Sequence, residues 1–475
     1  MSAAPTPATR SIAFAVQAMR GTLLQPGSGG GTFAGAVSDS RSVQPRQLFF
    51  ALSGERVDGF AFAAQAAAAG AAGLVVARSR GLPAGAGGAA VIAVDDPRLA
   101  LGDLGRAVRA EFRGLVVGVT GSNGKTTTKE LCAAALAPLG GVLRTPGNFN
   151  TDVGLPLTVL SASGTEAAWV LEMAMRARGE IAALTALARP AIGIITNVAG
   201  AHLETLGSIE EVARAKGELF AGLGPEGIAV LPFGDPLIAE QAQPVAAARR
   251  VTFGDRGADV PVLDFIPNGV TGAVVRYSVR GTPVVARLPL GGAHNARNAA
   301  AALAAAAAAG VSPVAAARGL ESVVLPPHRS AARPAGGRTI LDDCYNANPA
   351  SMRAALAALG AAAGAGRRFA ILGDMLELGA GAEVAHRELG HAAGLELAGL
   401  AAVGQFAQSM IDEARAAGMD AARTFAAPSP EAAAEAVAGW TAPGDWILVK
   451  ASRGLRLERA VDTLQAKLGP PERPR

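Results

Sequence analysis

Residues Gly118 to Glu130 read GVTGSNGKTTTKE, and this stretch decides the fold. A short apolar run, Gly114 to Val119 (GLVVGV), precedes it, and an alanine-rich stretch from Glu130 to Leu139 follows. Strand, glycine-rich loop, Lys-Thr and helix is the layout of a phosphate-binding loop. Gly121 and Gly124 let the backbone turn sharply, so that the N–H groups around Ser122 and Asn123 point inward at phosphate oxygens. The helix that follows offers its unpaired N–H groups and positive dipole end to the anion. In that layout Lys125 reaches the β- and γ-phosphates, and the Thr126 hydroxyl can ligate Mg²⁺. Val119 stands where the generic motif has its first glycine, five residues before Gly124.

Outward from the loop, strands and helices alternate. Leu115–Val119, Ala168–Glu172, Ala191–Thr196 and Ile228–Leu231 read as strands of a parallel sheet with helices on both faces. Ligands bind beyond the carboxyl ends of such strands, so the polar residues there are the candidates. Glu172 ends the run WVLE and can hold Mg²⁺ directly or through water; a solvated strand end is the alternative. His202 ends the run TNVAGAH in a loop at the same edge, where a structural histidine is the plainer account. Lys216 sits on a helix expected to start near Ser208, and by itself reads as a surface charge. Residues 250 to 290 hold short strand-like runs, Gly272–Val279 and Val284–Leu288. GGAHNARN (Gly291 to Asn298) then opens an almost pure alanine helix to Ala309. His294, Asn295 and Asn298 there either cap the helix or read a purine edge.

Two further α/β units flank this one. Residues 1–112 hold a first amphipathic helix, SIAFAVQAM between Arg10 and Arg20, rather than an export leader. Strands follow at Gln47–Leu52, Gly73–Ala77 and Val91–Val94, with a helix at Ala61–Ala72. The cluster Ser38, Asp39, Ser40 and Arg41 either binds a polar ligand or caps a turn. A last unit, 327–475, follows the hinge-like Pro-Pro-His-Arg segment and leaves 113–326 as the central one. It reads as a strand RTILDD, a turn CYNANP and a helix from Ser351, then strands Arg368–Leu372, Leu400–Val403 and Trp446–Val449. Asp342 and Asp343 end a strand, where they bond ribose hydroxyls or cap the turn. His386 and His391 are five apart on a helix and do not share a face, which argues against a metal pair.

Composition narrows the function classes. Net charge is +4 over 475 residues, aromatics are 4 %, and no basic stretch is interleaved with aromatics, so nucleic-acid binding is not indicated. Two distant cysteines, Cys132 and Cys344, suit a reducing cytoplasm. No long apolar run other than alanine tracts suggests a membrane span.

Assembled, these segments resemble the Mur ligase family. The similarity runs from about Val37 to Glu458. It rests on SDSR with LFFAL-GER-DGF, TGSNGKTTTKE, TPGNFNTDVGLPLT, LEMAMRARGEI, TNVAGAHLETLGS, AKGELF and GGAHNARNAAAALA, in family order. LDDCYNANPASM and ILGDMLELG resemble the member that adds a D-Ala-D-Ala dipeptide. Val119 in place of a glycine is the ligase-type form of the loop. Arg46, where the family often has Gly, and EMAMRARGEI, in place of the commoner EMG form, depart from the pattern.

The resemblance implies three α/β domains: a small uridine-nucleotide-binding domain, a central P-loop ATPase domain with a mostly parallel sheet, and a C-terminal Rossmann-like domain. It implies ATP as cofactor, with two Mg²⁺ ions. Gly121, Ser122, Asn123, Gly124, Lys125, Thr126 and Thr127 would hold the triphosphate. Thr126 and Glu172 would hold one Mg²⁺, and His202 with a carbamylated Lys216 the second. Lys125, Lys216 and His202 would be catalytic. His294, Asn295 and Asn298 would face adenine, Asp343 the ribose and Arg329 the phosphates. Ser40, Arg41, Asn148, Asn150, Thr151, Tyr345 and Asn346 would contact UDP-N-acetylmuramoyl-tripeptide or D-Ala-D-Ala. A cytoplasmic monomer is expected. Two alternatives stay open: the neighbouring ligase that adds the third residue to the UDP-N-acetylmuramoyl-dipeptide, and a nucleotide switch that does not ligate.

Overall fold

The computed structural model of the protein describes residues 6–54, 57–200, 203–268, 272–361 and 366–470. Among these residues the backbone pairs into sheets of nine, six, five and two strands.

The loop strand, Leu115–Thr120, lies inside the nine-stranded sheet between Ile192–Ile195 and Ala168–Glu172, parallel to both. Val142–Arg144 extends the parallel part on one side, and Ile228–Pro232 and Arg250–Gly254 on the other. The strand-like runs after residue 250 become an antiparallel extension: Val260–Pro267, Ala273–Val279 and Thr282–Leu288. The loop helix Lys125–Leu136 and the alanine helix Ala293–Ala308 pack on one face of the sheet around Val117, Val170 and Ile194. Alanine has the highest helix propensity, and its single methyl lets helices come close. At Gly319 the approach is closer still: a Cβ there would lie 2.2 Å from the Ala134 carbonyl. Ser208 caps the helix Ile209–Ala221 on the opposite face, accepting from Glu211 N at 3.3 Å.

The first unit builds its five strands in the order Thr22–Gln25, Ala90–Val94, Gly73–Ala77, Leu48–Phe50, Ala36–Val37. SIAFAVQAM forms the helix Ile12–Ala18, capped by Ser11. The helix expected over Ala61–Ala72 is shorter, Ala63–Ala68, because a tight turn capped by Asp58 precedes it and Gly70 (φ +92) follows. Arg46, at the family's glycine position, has φ +73, a backbone region that favours glycine. The helix Pro97–Glu111 was not anticipated, although Asp96 as cap and Pro97 at its first position are a readable start. Its Leu101, Leu104 and Val108 join one hydrophobic core with Leu155, Trp169 and Leu187 of the central unit.

The six-stranded sheet runs Ala331–Ala335, Arg338–Asp342, Trp446–Lys450, Arg368–Gly373, Gly399–Val403, Thr424–Ala427. The first strand turns back antiparallel through Gly336 and Gly337; the others are parallel. Ala331–Ala335 and Thr424–Ala427 were not anticipated: one contains Pro334, and the other is short and alanine-rich. His386 is a buried structural histidine, accepting from Met375 N at 2.8 Å. Among the described residues no helix is long and apolar enough to cross a membrane.

Candidate active site

Residues just beyond the carboxyl ends of strands from both large parallel sheets line one cavity of about 1300 Å³. The phosphate loop forms its floor. Gly121 has φ +147, and a Cβ there would lie 1.9 Å from Thr196 Oγ1. Gly124 has φ +76, and a Cβ would lie 2.7 Å from Asn298 Oδ1. Both positions therefore need glycine for conformation and for space.

The next strand end holds the loop from behind. Thr196 Oγ1 donates to Asn123 O at 2.6 Å, and Asn123 N donates to Asn197 Oδ1 at 3.0 Å. Ser122 N donates to Asn197 O at 2.9 Å. Lys125 Nζ folds over the loop onto the carbonyls of Gly121 (2.7 Å) and Ser122 (3.1 Å). Loss of solvent lowers the Lys125 pKa; the Glu172 carboxylate opposes this and the Arg329 guanidinium reinforces it.

Glu172 is buried at the end of its strand. Asn150 Nδ2 donates to its Oε1 at 2.7 Å, so the amide expected to meet substrate points at Glu172. The other oxygen, Oε2, is buried without a hydrogen-bond partner. An orphaned carboxylate oxygen is costly unless something fills the place beside it. A hard cation takes carboxylate and hydroxyl oxygens, so Glu172 and the neighbouring Thr126 are a suitable donor set for Mg²⁺. Lys216 is 1 % exposed, and no hydrogen bond or ion pair holds its ammonium among the described residues. Burial first, and Lys125 second, push its pKa well below 10.5. The shift favours the neutral amine, the form that takes up carbon dioxide. His202 lies outside the described residues.

The purine candidates border the same cavity. Gly292, not a side chain, caps the alanine helix, which removes the capping account of the asparagines. Asn298 Nδ2 donates to Asn295 Oδ1 at 3.3 Å, and Asn295 Nδ2 to Gly291 O at 2.8 Å. His294 lines the wall beside them. From the last unit come Arg329, Asp343, Tyr345 and Asn346. Arg329 lies 4.0 Å over the Tyr345 ring. Asp343 accepts from Ser330 N at 2.9 Å and pairs with Lys450. Asp342 does not share its role: fully buried, it binds His328, Arg333 and the Cys344 thiol. Asn148 and Thr151 also border the cavity, near the rim where Arg98 Nη2 donates to Asp152 at 2.9 Å.

Ser40 and Arg41 do not reach this cavity. Ser40 Oγ donates to Gln65 at 3.0 Å, and Asp39 caps the turn by accepting from Arg41 N at 3.0 Å. The Arg41 side chain holds the Asp39 pKa at about 2. Thr196, Asn197 and Lys450 border the cavity and were missed as site residues; Lys129 and Thr145 lie behind Glu172 and were missed as its supports. Lys129 and Glu130 look like a surface pair in sequence, yet both are buried. The one available signal was the apolar run that follows them in the same helix, Leu131 to Leu136 (LCAAAL).

Fold and site together define a nucleotide-dependent ligase of the P-loop type, and the chain belongs to the Mur ligase family. Residues 33–109 match the Mur ligase family catalytic domain, 119–306 the Mur ligase middle domain, and 328–453 the Mur ligase glutamate ligase domain. A Bacillus subtilis protein named UDP-N-acetylmuramoyl-tripeptide–D-alanyl-D-alanine ligase is 36 % identical over 456 residues, covering 96 % of this chain and 98 % of its own. A crystal structure of MurF from Acinetobacter baumannii superposes with TM-score 0.86 at 30 % identity, covering 96 % of this chain and 99 % of its own. MurF ligase from Thermotoga maritima, solved in complex with ADP, gives TM-score 0.79 at 30 % identity, over 92 % and 98 % of the two chains.

Proposed function

We propose that this chain is an ATP-dependent amide ligase that joins D-Ala-D-Ala to UDP-N-acetylmuramoyl-tripeptide, releasing ADP and phosphate in peptidoglycan precursor synthesis. The observation that carries the proposal is the shared cavity: the phosphate loop, Glu172 and the CYNANP turn of the last unit, through Tyr345 to Asn348, border one space. The full-length relatives named for this reaction, and the ADP complex of one of them, support it.

In this scheme the terminal carboxylate of the tripeptide attacks the γ-phosphorus of ATP, and ADP leaves from an acyl phosphate. The dipeptide amine then attacks the acyl carbon, loses a proton, and phosphate departs. Lys125 stabilises charge on the transferring group, the main source of catalysis in phosphoryl transfer. Bound Mg²⁺ would add electrophilic stabilisation of the phosphate oxygens, held by Thr126 and Glu172, with a second ion at His202 and Lys216. Lys216 Nζ reacts with carbon dioxide to form an N–C bond and releases a proton, so the side chain becomes an anion suited to that ion. The loop residues from Gly121 to Thr127 cradle the triphosphate. His294, Asn295 and Asn298 take adenine, Asp343 the ribose, and Arg329 the phosphates. The first unit, 1–112, holds the uridine nucleotide through Ser40 and Arg41. The central unit, 113–326, binds ATP, and the last, 327–475, brings the dipeptide. Closure of the units around the cavity would keep water from the acyl phosphate.

Mass spectrometry of the product from tripeptide nucleotide, ATP and D-Ala-D-Ala tests the proposal. The expected product carries both alanines. Phosphate release that depends instead on a dipeptide nucleotide and a diamino acid would assign the neighbouring ligase, and nucleotide binding without ligation would assign a switch.

A further inference from the structure

Lys129 is a fully buried lysine that the proposed chemistry does not use. Buried ammonium groups are rare and need partners. This one lies one helical turn after Lys125, on the same face of the loop helix. Its Nζ donates to Thr145 O at 2.6 Å and lies 3.1 Å from Glu130 Oε1. Glu130 is tied outward to Arg144 at 2.6 Å. Thr145 in turn accepts the Glu172 backbone N–H on its hydroxyl at 2.9 Å. Lys129 thus grips, through Thr145, the strand end that carries Glu172. It stops 3.8 Å from Glu172 Oε2, beyond hydrogen-bond reach, and that oxygen is the orphaned one.

We infer that Lys129 is a positioning residue for the cation site. It fixes the Glu172 main chain through Thr145 and balances the buried charge, while leaving Oε2 without a hydrogen bond of its own, so that a cation can take it. Asn150 holds the other oxygen, so the carboxylate has one free corner. At 3.8 Å the ammonium is near enough to balance the charge on that corner without bonding it. The inference rests on the metal-nucleotide part of the proposed function.

The test is Mn²⁺ binding to the ADP-loaded protein, followed by electron paramagnetic resonance. Lys129→Met is expected to weaken Mn²⁺ at least tenfold, with ADP affinity in the absence of metal changed less than twofold. Lys129→Arg keeps the buried charge, and a thermal melt checks that it is folded. Its longer fork reaches Oε2, so it is expected to weaken Mn²⁺ as well and to raise the Mg²⁺ concentration needed for half-maximal phosphate release. Unchanged Mn²⁺ affinity in Lys129→Met overturns the inference. So does full recovery in Lys129→Arg, which also decides the matter should the methionine variant not fold. A wild-type protein that fails to bind Mn²⁺ with ADP defeats the metal-nucleotide reading itself, a distinct outcome.

Discussion

Asn348 Nδ2 donates to Asn123 Oδ1 at 2.6 Å, joining the last unit to the crown of the phosphate loop. Asn348 is also the cap of the helix Pro349–Gly360, accepting from Ser351 N at 2.9 Å. One side chain therefore starts a helix in the last unit and sets it on the loop. Asn123 is held by Thr196 and Asn197 through its backbone, which leaves its side chain to meet Asn348. Docking of the last unit is registered against the loop itself.

Replacing Asn348 by serine keeps a good helix cap but shortens the reach to Asn123. A neutral hydrogen bond is worth roughly 0.5–1.5 kcal/mol, or about a 2- to 13-fold change in rate if it is made in the closed state. The expected result is a fall in kcat within that range, with the KM for ATP nearly unchanged. Asn123→Ala should give the same loss, and the double variant should be no worse than either. Additive losses would mean that the two residues act separately.

Gly121→Ala should be severe. The alanine would have to adopt φ +147 and place a methyl 1.9 Å from Thr196 Oγ1. Backbone strain alone costs about 1–3 kcal/mol, and the clash adds to it. Thermal unfolding should report a lower melting temperature, and calorimetry should report loss of ADP binding. Normal ADP affinity in this variant would show that the loop rearranges freely.

Lys125→Met removes the cation that folds over the loop carbonyls. Substrate-dependent phosphate release is expected to fall roughly 10²–10³-fold or more, the usual scale for losing a charge-stabilising group. Phosphate release at the wild-type rate would remove Lys125 from the chemistry.

Local signals were legible in the sequence and long-range ones were not. The loop, its strand and its helix follow from neighbours within about a dozen residues, since glycine spacing and apolar runs are local properties. Ser208 as a helix start was readable for the same reason. Glu172, Asn295 and Asn298 were legible as candidates because strand ends and helix starts are where ligands bind in such sheets. What Asn150 touches was not legible: only the fold brings it to Glu172. The Lys129–Thr145–Glu172 chain of contacts was hidden for the same reason, as was the Asn348–Asn123 bond across 225 residues. Asp342 and Asp343 are adjacent and alike in sequence, yet strand alternation sends one into the core and the other to the cavity.

Lys216 carries a pH signature. Burial holds its pKa well below the ordinary 10.5, and Lys125 pushes the same way. Between the folded and unfolded values the unfolded chain binds the extra proton, so stability rises with pH across that window. As pH falls from 10.5 the buried amine becomes a growing liability, and the loss levels off below the folded pKa. Lys216→Met removes it. In buffer free of carbon dioxide at neutral pH the variant should be more stable than wild type, by at least the roughly 1–3 kcal/mol that a buried polar group without a partner costs. Above pH 10.5 the gap should narrow to the cost of burying the neutral amine alone. Added bicarbonate should raise the melting temperature of the wild type alone, because a carbamate at Lys216 would place an anion beside Lys125. The methionine variant should be inactive throughout. Equal melting temperatures for the two proteins at every pH and every bicarbonate level would rule out a neutral Lys216 amine, and with it the route to a carbamate.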